Sequence, residues 1–450
     1  MERRHRKPPA ATLTAALALG GLLLGAPAAL ASPLAVAASR GFAPHQLVVK
    51  FSAERFGRAL SLPAGVGVRA AAAALRRSPG VAYAGPNYIA TASGQAVGSS
   101  EVPNDPGNLG GPPQPPGAWV LRQWNFLPWE GIGSEALPIS AGGIDVVGAW
   151  QNLAAAGRPG GMGITVAVLD TGVAYRALGN RFRRSPDFSS AQFLDGYDFV
   201  EDDRVPLDLN GHGTHVAGTI AERTNNSIGL TGIAFRAKLM PVRVLDRLGQ
   251  GQADDIARGI RFATTHGAEV INMSFNFACG RAVPIVDEAL REAYRQGVVT
   301  VASVGNLGSE GCVSPPATGP HAIGVGGTTE GGCLGDYSLA GQDVDLLAPG
   351  GGAPAPGCAS VSTGPIYQVT LKGRNPRRFG EPGRYIGTSM AAAHVSGVAA
   401  LVIASGVAGR HPTPDRVLRR LRTTARDLGQ PATRQGAGLI DAGGATDPST

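Results

Sequence analysis

The chain has 450 residues, enough for one large α/β domain with additions or for two or three ordinary domains. Its 66 Gly and 34 Pro among mostly apolar and small residues exclude an architecture of long solvated helices. The formal net charge of +7 is uneven, since residues 1–103 carry 11 Lys/Arg against 3 Asp/Glu and the remainder 29 against 30, so the basic balance belongs to the leader and nucleic-acid binding is not implied.

Arg3, Arg4, Arg6 and Lys7 precede an apolar run from Leu13 to Leu24, and Ala29-Leu30-Ala31 offers a small-residue cleavage site before Ser32. A basic start, a short apolar core and a cleavage motif predict a secretory signal peptide over residues 1–31 rather than a spanning helix. No other stretch is long and apolar enough to cross a bilayer, so the expected product is exported, with no membrane attachment after signal removal. Residues 42–90 read as a small module, with strands over Gln46–Phe51 and Val81–Tyr83 and an Ala-rich helix over Arg69–Arg77. Residues 91–117 are rich in Gly, Pro, Ser and Asn and predict a linker or exposed loop. Beyond Ile164, apolar strands over 164–169, 239–245, 270–273, 298–303 and 322–325 alternate with helical patterns such as 254–266 and 284–296. The last of these opens on Pro284, which suits a first helical position because its missing N–H would be unpaired there. Such alternation predicts a parallel sheet covered on both faces.

Four strings carry residues with chemistry. The strand from Ile164 stops at Asp170, and an acid at the carboxyl end of a parallel strand lies where open α/β sheets place their sites, although Asp also caps the next element. The string Asn210-Gly211-His212-Gly213-Thr214-His215-Val216-Ala217-Gly218-Thr219 sets a His at the head of a helix of small residues. Three-residue spacing puts His212 and His215 on one helical face, but no third ligand at zinc spacing accompanies them. Val301-Ala302-Ser303-Val304-Gly305-Asn306 ends a strand on an Asn that is either a turn residue or an amide donor. In GTSMAAAHVSGVAAL, starting at Gly387, Ser389 is either a helix cap or a nucleophile.

Taken together, VAVLDTGV, GHGTHVAGTIA, VASVGN and GTSMAAAHVSGVAAL resemble the subtilisin-like serine proteases, in that family's order of acid, base and nucleophile. The resemblance runs from Asp105 to the string GAGLIDA at residues 436–442. It implies an α/β fold, a doubly wound, mostly parallel sheet with helices on both faces, over residues 101–450. A small α+β propeptide and linker over 32–100 would precede it, and insertions are expected near 106–118, 174–186 and 351–382. By resemblance, Ser389 is the nucleophile, His212 the base, Asp170 the acid that orients it, and Asn306 with the Ser389 backbone N–H the oxyanion hole. His215 and His394 match packing positions. Substrate would add as an extended strand between Gly249-Gln250-Gly251 and Ser274-Phe275-Asn276. Two departures stand out: Asn276 and Phe277 replace two Gly at the rim of the primary specificity pocket, and Ala393 replaces a common Pro.

The resemblance also implies a structural Ca²⁺, with Asp105, Asp187, Asn226 and the carbonyls of Thr224, Ile228 and Leu230 as ligands, all oxygen donors as a hard cation requires. It implies no cofactor for catalysis. The module at 42–90 resembles the family's inhibitory, folding-assisting propeptide, most of all in the string from Pro79 to Tyr88. Four cysteines in an exported chain allow three pairings, and disulfides are favoured over zinc because no Cys-x-x-Cys is present. Their placement predicts Cys279–Cys312 and Cys333–Cys358, the first tying the segment after Ser274 to that after Asn306. The expected protein is a secreted monomeric serine endopeptidase acting on polypeptides. It would be made as a precursor that its own propeptide inhibits and that cleaves itself between Ile89 and Asn104. A processing protease of narrow specificity and a non-catalytic pseudoprotease that binds peptides are the two rivals.

Overall fold

The structure is a computed structural model and describes residues 42–92, 118–130, 138–226, 228–308 and 312–450. The expected signal peptide, the linker beyond Ala92, Asp105 and most of the insertion near 106–118 lie outside the described residues.

Strand β1 (Phe42–Phe51) pairs antiparallel with β2 (Arg58–Ser61) and β3 (Val81–Ala92), and helix α1 (Val68–Leu75) packs on them. The period of two along β1 sorts its side chains. Leu47 and Val49 enter a small core with Val68, Ala72 and Ala84, while Val48, between them, joins the main core of the molecule. The module is therefore sandwiched, its own helix on one face and the rest of the protein on the other. Strand β2 was not expected, because its four residues contain no fully buried position that would mark it.

The main sheet has seven strands: β4 (Thr165–Asp170), β5 (Tyr197–Asp198), β6 (Lys238–Arg243), β8 (Val270–Met273), β10 (Val299–Ser303), β11 (Ala322–Thr328) and β12 (Leu346–Pro349). Their order is β12-β11-β10-β8-β4-β6-β5, and every neighbouring pair is parallel. All six residues of β4 are buried, as a strand covered on both faces requires. Helices flank the sheet: α2 (Val146–Ala155), α3 (His212–Ala221), α4 (Ala253–Thr265), α5 (Pro284–Arg295) and α6 (Thr388–Ser405), with α3 packed on α6 and α4 on α5. Two short strands, β7 (Gln250–Gln252) and β9 (Phe275–Phe277), stand outside the main sheet and pair with β3 instead.

The doubly wound α/β architecture matches the expectation. Strand β6 ends at Arg243 rather than Leu245 because the Val244 and Leu245 amides turn to donate to the Asp170 carbonyl. One expectation is corrected: beyond the leader, helix α6 is also long and apolar enough to cross a membrane, but 89% of it is buried inside the protein, as in a core helix. Both expected disulfides are present, with Cα–Cα distances of 5.9 Å for Cys279–Cys312 and 6.1 Å for Cys333–Cys358, inside the range a bridge needs.

Candidate active site

The parallel sheet reverses its winding at β4, with β6 on one side and β8 on the other, and the crevice beyond the carboxyl ends at such a point is where α/β folds bind ligands. Asp170 ends β4 with no exposed surface. Its Oδ1 and Oδ2 lie 2.8 and 3.0 Å from Nδ1 of His212, the first residue of α3. A carboxylate accepts, so Nδ1 carries the proton and Nε2 is the ring's basic atom. Burial lowers the basicity of the His212 ring, but the Asp170 charge and hydrogen bond outweigh it, and the net shift is upward. A Cβ on Gly213 would meet the Gly172 carbonyl at 2.2 Å and Asp170 Oδ1 at 3.0 Å, so only glycine lets α3 approach the end of β4 this closely.

Asp208 completes this half of the site and was missed in the sequence. It is buried and accepts from the backbone N–H of Asn210, Gly211 and Thr214 at 2.8, 2.9 and 3.0 Å and from the Thr171 and Thr214 hydroxyls at 3.0 and 2.6 Å. Thr171 Oγ1 in turn accepts from Gly213 N, so one carboxylate fastens the start of α3 to the segment after Asp170. The string Asp-x-Asn-Gly before a helical run was the available signal, since a carboxylate there satisfies unpaired N–H groups.

Ser389 is the second residue of α6, after Gly387 at φ 138°. Its hydroxyl donates to the Ser274 carbonyl at 3.0 Å, and the Ser274 hydroxyl donates back to the Ser389 carbonyl at 2.8 Å. Ser274 Oγ also accepts from Asn272 Nδ2, and Asn272 Oδ1 accepts from Ser396, so the end of β8 is locked to the first turns of α6. His212 Nε2 is buried with no hydrogen-bond partner among the described residues. Asn306 Oδ1 accepts from both the N–H and the hydroxyl of Thr388 at 2.9 Å. Those two bonds commit the amide oxygen, so Nδ2 is the group of this side chain that can donate. His215 Nε2 donates to the Ile366 carbonyl, and His394 Nδ1 donates to the Met390 carbonyl while its Nε2 accepts from Asn125. Burial pushes these rings down to about 3 and about 4, so both are neutral, buried hydrogen-bonding groups.

Strand β3 lies between β7 and β9. Ile89, Ala90 and Thr91 pair with Gln252, Gly251 and Gln250, and Ala90, Thr91 and Ala92 pair with Phe277, Asn276 and Phe275. The two enzyme-side segments are those expected, displaced by one residue each. The module is further held by Asn87, which is fully buried and donates to Gln46, Gln252 and Asp254 at 2.9, 3.1 and 2.7 Å. Ion pairs Lys50–Glu288 and Arg55–Glu292 link it to α5. Of the two residues expected at the pocket rim, Asn276 reaches across to Ser303: its Nδ2 donates to the Ser303 carbonyl at 2.5 Å and its Oδ1 accepts from the Ser303 hydroxyl at 3.2 Å. Phe277 corrects the expectation. It is 2% exposed and belongs to the main core, because strand alternation turns it to the opposite face.

The candidate cation loop is partly in place. Asp187 is fully buried and accepts from Asn226 Nδ2 at 2.5 Å and from Leu230 N at 2.8 Å, while Asn226 Oδ1 accepts from Ile228 N. The Thr224 and Thr231 hydroxyls bond each other. Burial pushes the Asp187 carboxyl up to about 7. Glu222, not anticipated, is fully buried nearby, and its Oε1 has no hydrogen-bond partner among the described residues. Burial and then the Asp187 charge raise its carboxyl well above the usual range. Among the described residues no three His, Cys, Asp or Glu side chains are grouped to hold a metal.

The sequence profile of the subtilase family matches residues 161–438. A thermophilic serine proteinase of Bacillus sp. (strain AK1) is 38% identical over 247 residues, covering 55% of this chain and 54% of that protein. A thermostable alkaline protease of Halalkalibacterium halodurans is 37% identical over 288 residues, 64% of this chain and 68% of its own length. Subtilisin E of Bacillus subtilis is 37% identical over 289 residues, 62% and 65% of the two chains. The chain thus spans between about half and two thirds of the length of these relatives. A solved structure of a Pseudoalteromonas arctica protease superimposes with a TM-score of 0.58 at 31% identity, covering 69% of this chain and 95% of that one.

Proposed function

This chain belongs to the subtilase family, and on that premise we propose that it is a secreted serine endopeptidase with Asp170, His212 and Ser389 as its triad. The carrying observation is the buried Asp170–His212 pair, fixed with Nδ1 as donor at the end of β4, with Ser389 held at a helix start by the carbonyl just beyond the neighbouring β8. Ser389 Oγ attacks the scissile carbonyl carbon as His212 Nε2 takes its proton, giving a tetrahedral oxyanion. Asn306 Nδ2 and the Ser389 N–H donate to that oxygen, aided by the dipole of α6. The C–N bond then breaks, with the proton passing from His212 to the leaving amine. Water attacks the acyl-enzyme, losing its proton to His212, and the ester bond breaks as His212 returns that proton to Ser389 Oγ, releasing the acid. Asp170 holds the tautomer and stabilises the imidazolium throughout. Labelling with a fluorophosphonate tests this: stoichiometric modification at Ser389 supports it, and a mature protein that takes up no label makes it a peptide-binding pseudoprotease.

The module at 42–92 acts in this reading as an intramolecular inhibitor, because β3 adds the same backbone hydrogen bonds that a substrate strand would. Self-cleavage between Ile89 and Asn104 would convert precursor to mature enzyme. The signal peptide expected from the sequence of residues 1–31 supports the export reading. A Ca²⁺ fits the loop at 224–230, whose donors are all oxygen. Asp187 and Glu222 bring two buried carboxyl groups there, and Glu222 Oε1 has no hydrogen-bond donor among the described residues. Asp187, the Asn226 amide oxygen once its side chain is turned, and the Thr224, Ile228 and Leu230 carbonyls would hold the ion together with Asp105. The ion would supply positive charge to the fold, not to the reaction.

A further inference from the structure

The pairing of β3 with β9 fixes how a peptide reads the cleft. Thr91 is opposite Asn276 and Ala92 opposite Phe275, so a peptide in this register presents its next residue opposite Ser274. The Ser274 carbonyl is the acceptor of the Ser389 hydroxyl, at 3.0 Å. A residue opposite Ser274 therefore lies beside the carbonyl that holds the Ser389 hydroxyl. Residues directly opposite in an antiparallel pair share a face, and alternate residues along a strand share it too. The side chain of that next residue consequently projects on the face that carries the Asn276 side chain. On that face the Asn276 amide spans to Ser303 with two hydrogen bonds, at 2.5 and 3.2 Å, one to a backbone carbonyl and one from a fully buried hydroxyl.

We propose that Asn276 is the specificity-determining residue on the acyl side of the cleaved bond, closing the gap between β9 and β10 so that only a small side chain (Gly, Ala or Ser) is accepted there. This rests on the endopeptidase reading and goes beyond it by naming the substrate class. A large apolar side chain would have to displace the amide from Ser303 and so break both of these hydrogen bonds. The loss of such bonds discriminates by about 10- to 100-fold. The residue that follows Ala92 in this chain is Ser93, a small one, which places the first self-cleavage between Ser93 and Gly94.

The test uses the mature enzyme, its active sites first counted with a fluorophosphonate. It then measures kcat/KM on peptide p-nitroanilides that differ only in Ala, Leu or Phe before the cleaved bond. Ala should exceed Phe by about 10- to 100-fold, and Asn276→Gly should raise Phe to within a few-fold of Ala. Asn276→Ala, which keeps a Cβ and removes only the amide, should move the ratio in the same direction, and label stoichiometry shows that either variant is folded. Peptide sequencing of the released module should end at Ser93. A labelled wild type that cuts after Phe as fast as after Ala, or a labelled Asn276→Gly with an unchanged ratio, overturns the inference alone. A wild type that takes no label overturns the endopeptidase reading and the inference with it.

Discussion

The Asp170–His212 contact has two consequences that can be measured. With Nδ1 committed to a carboxylate and the net shift of the ring upward, the proposed mechanism requires a pH above a His212 value that lies above the ordinary 6.5. The acid limb of kcat/KM against pH should therefore have its midpoint above 6.5. Asp208 contributes to that upward shift, so Asp208→Asn should move the midpoint toward acid, together with a loss of stability from the weakened cap on α3. An unmoved midpoint in that variant would remove Asp208 from the electrostatics of the site. Truncation separates the other roles. Ser389→Ala should leave a folded, inactive precursor, and Asp170→Asn should be severely impaired through the wrong tautomer. Asn306→Ala should cost roughly 10²–10³ in turnover, since it deletes one of two oxyanion donors, as progress curves on a peptide ester would show.

Single elements carry the next set of effects. The Cys279–Cys312 bridge joins the segment after β9 to that after Asn306, so it braces both walls of the groove that Asn276 and Ser303 span. Replacing both cysteines by Ser should cost about 2–4 kcal/mol and lower Tm by roughly 4–16 °C, with a rise in KM that a remote bridge would not give. Calorimetry and steady-state kinetics on one preparation decide between a local and a purely global role. Strand β3 depends on Asn87, whose amide is buried against Asp254 at the start of α4. Asn87→Ala leaves that carboxylate and its neighbours short of a donor, at a cost of about 1–3 kcal/mol to docking. In the Ser389→Ala background, limited proteolysis should then cut near β3 sooner, and equal rates would show that the ion pairs to α5 hold the module by themselves.

At the scale of the molecule, Asp187 accepts from the N–H groups of Arg223 and Leu230 and Glu222 from that of Val369, so two buried carboxyl residues tie the end of α3 to distant segments. An ion bound only by the folded state stabilises it by about 2.7 kcal/mol at a hundred times Kd. Chelation should therefore shorten the half-life of the mature enzyme when hot before it changes turnover at Ser389. Asp187→Asn should reproduce most of that loss. Thermal inactivation in excess calcium and in chelator, at equal rates, would strike the ion from the assignment.

Sequence alone determined the α/β alternation, the strands from 164 to 325 and the four strings proposed to supply acid, base, nucleophile and amide. These are local properties, written in apolar runs and in residues at the ends of strands and helices. The cysteine placement likewise pointed to both disulfides. Only tertiary structure decided what distant segments do to one another. Asp208 serves His212 through contacts that also involve Thr171, 37 residues earlier. Glu222 looks like an ordinary helix-end acid until folding buries it beside Asp187. Asn276 and Phe277 are adjacent in the chain, yet the pleat sends one to bridge the groove and the other into the core. Side-chain facing depends on register with a partner strand, and register is a property of the fold, not of either strand read by itself.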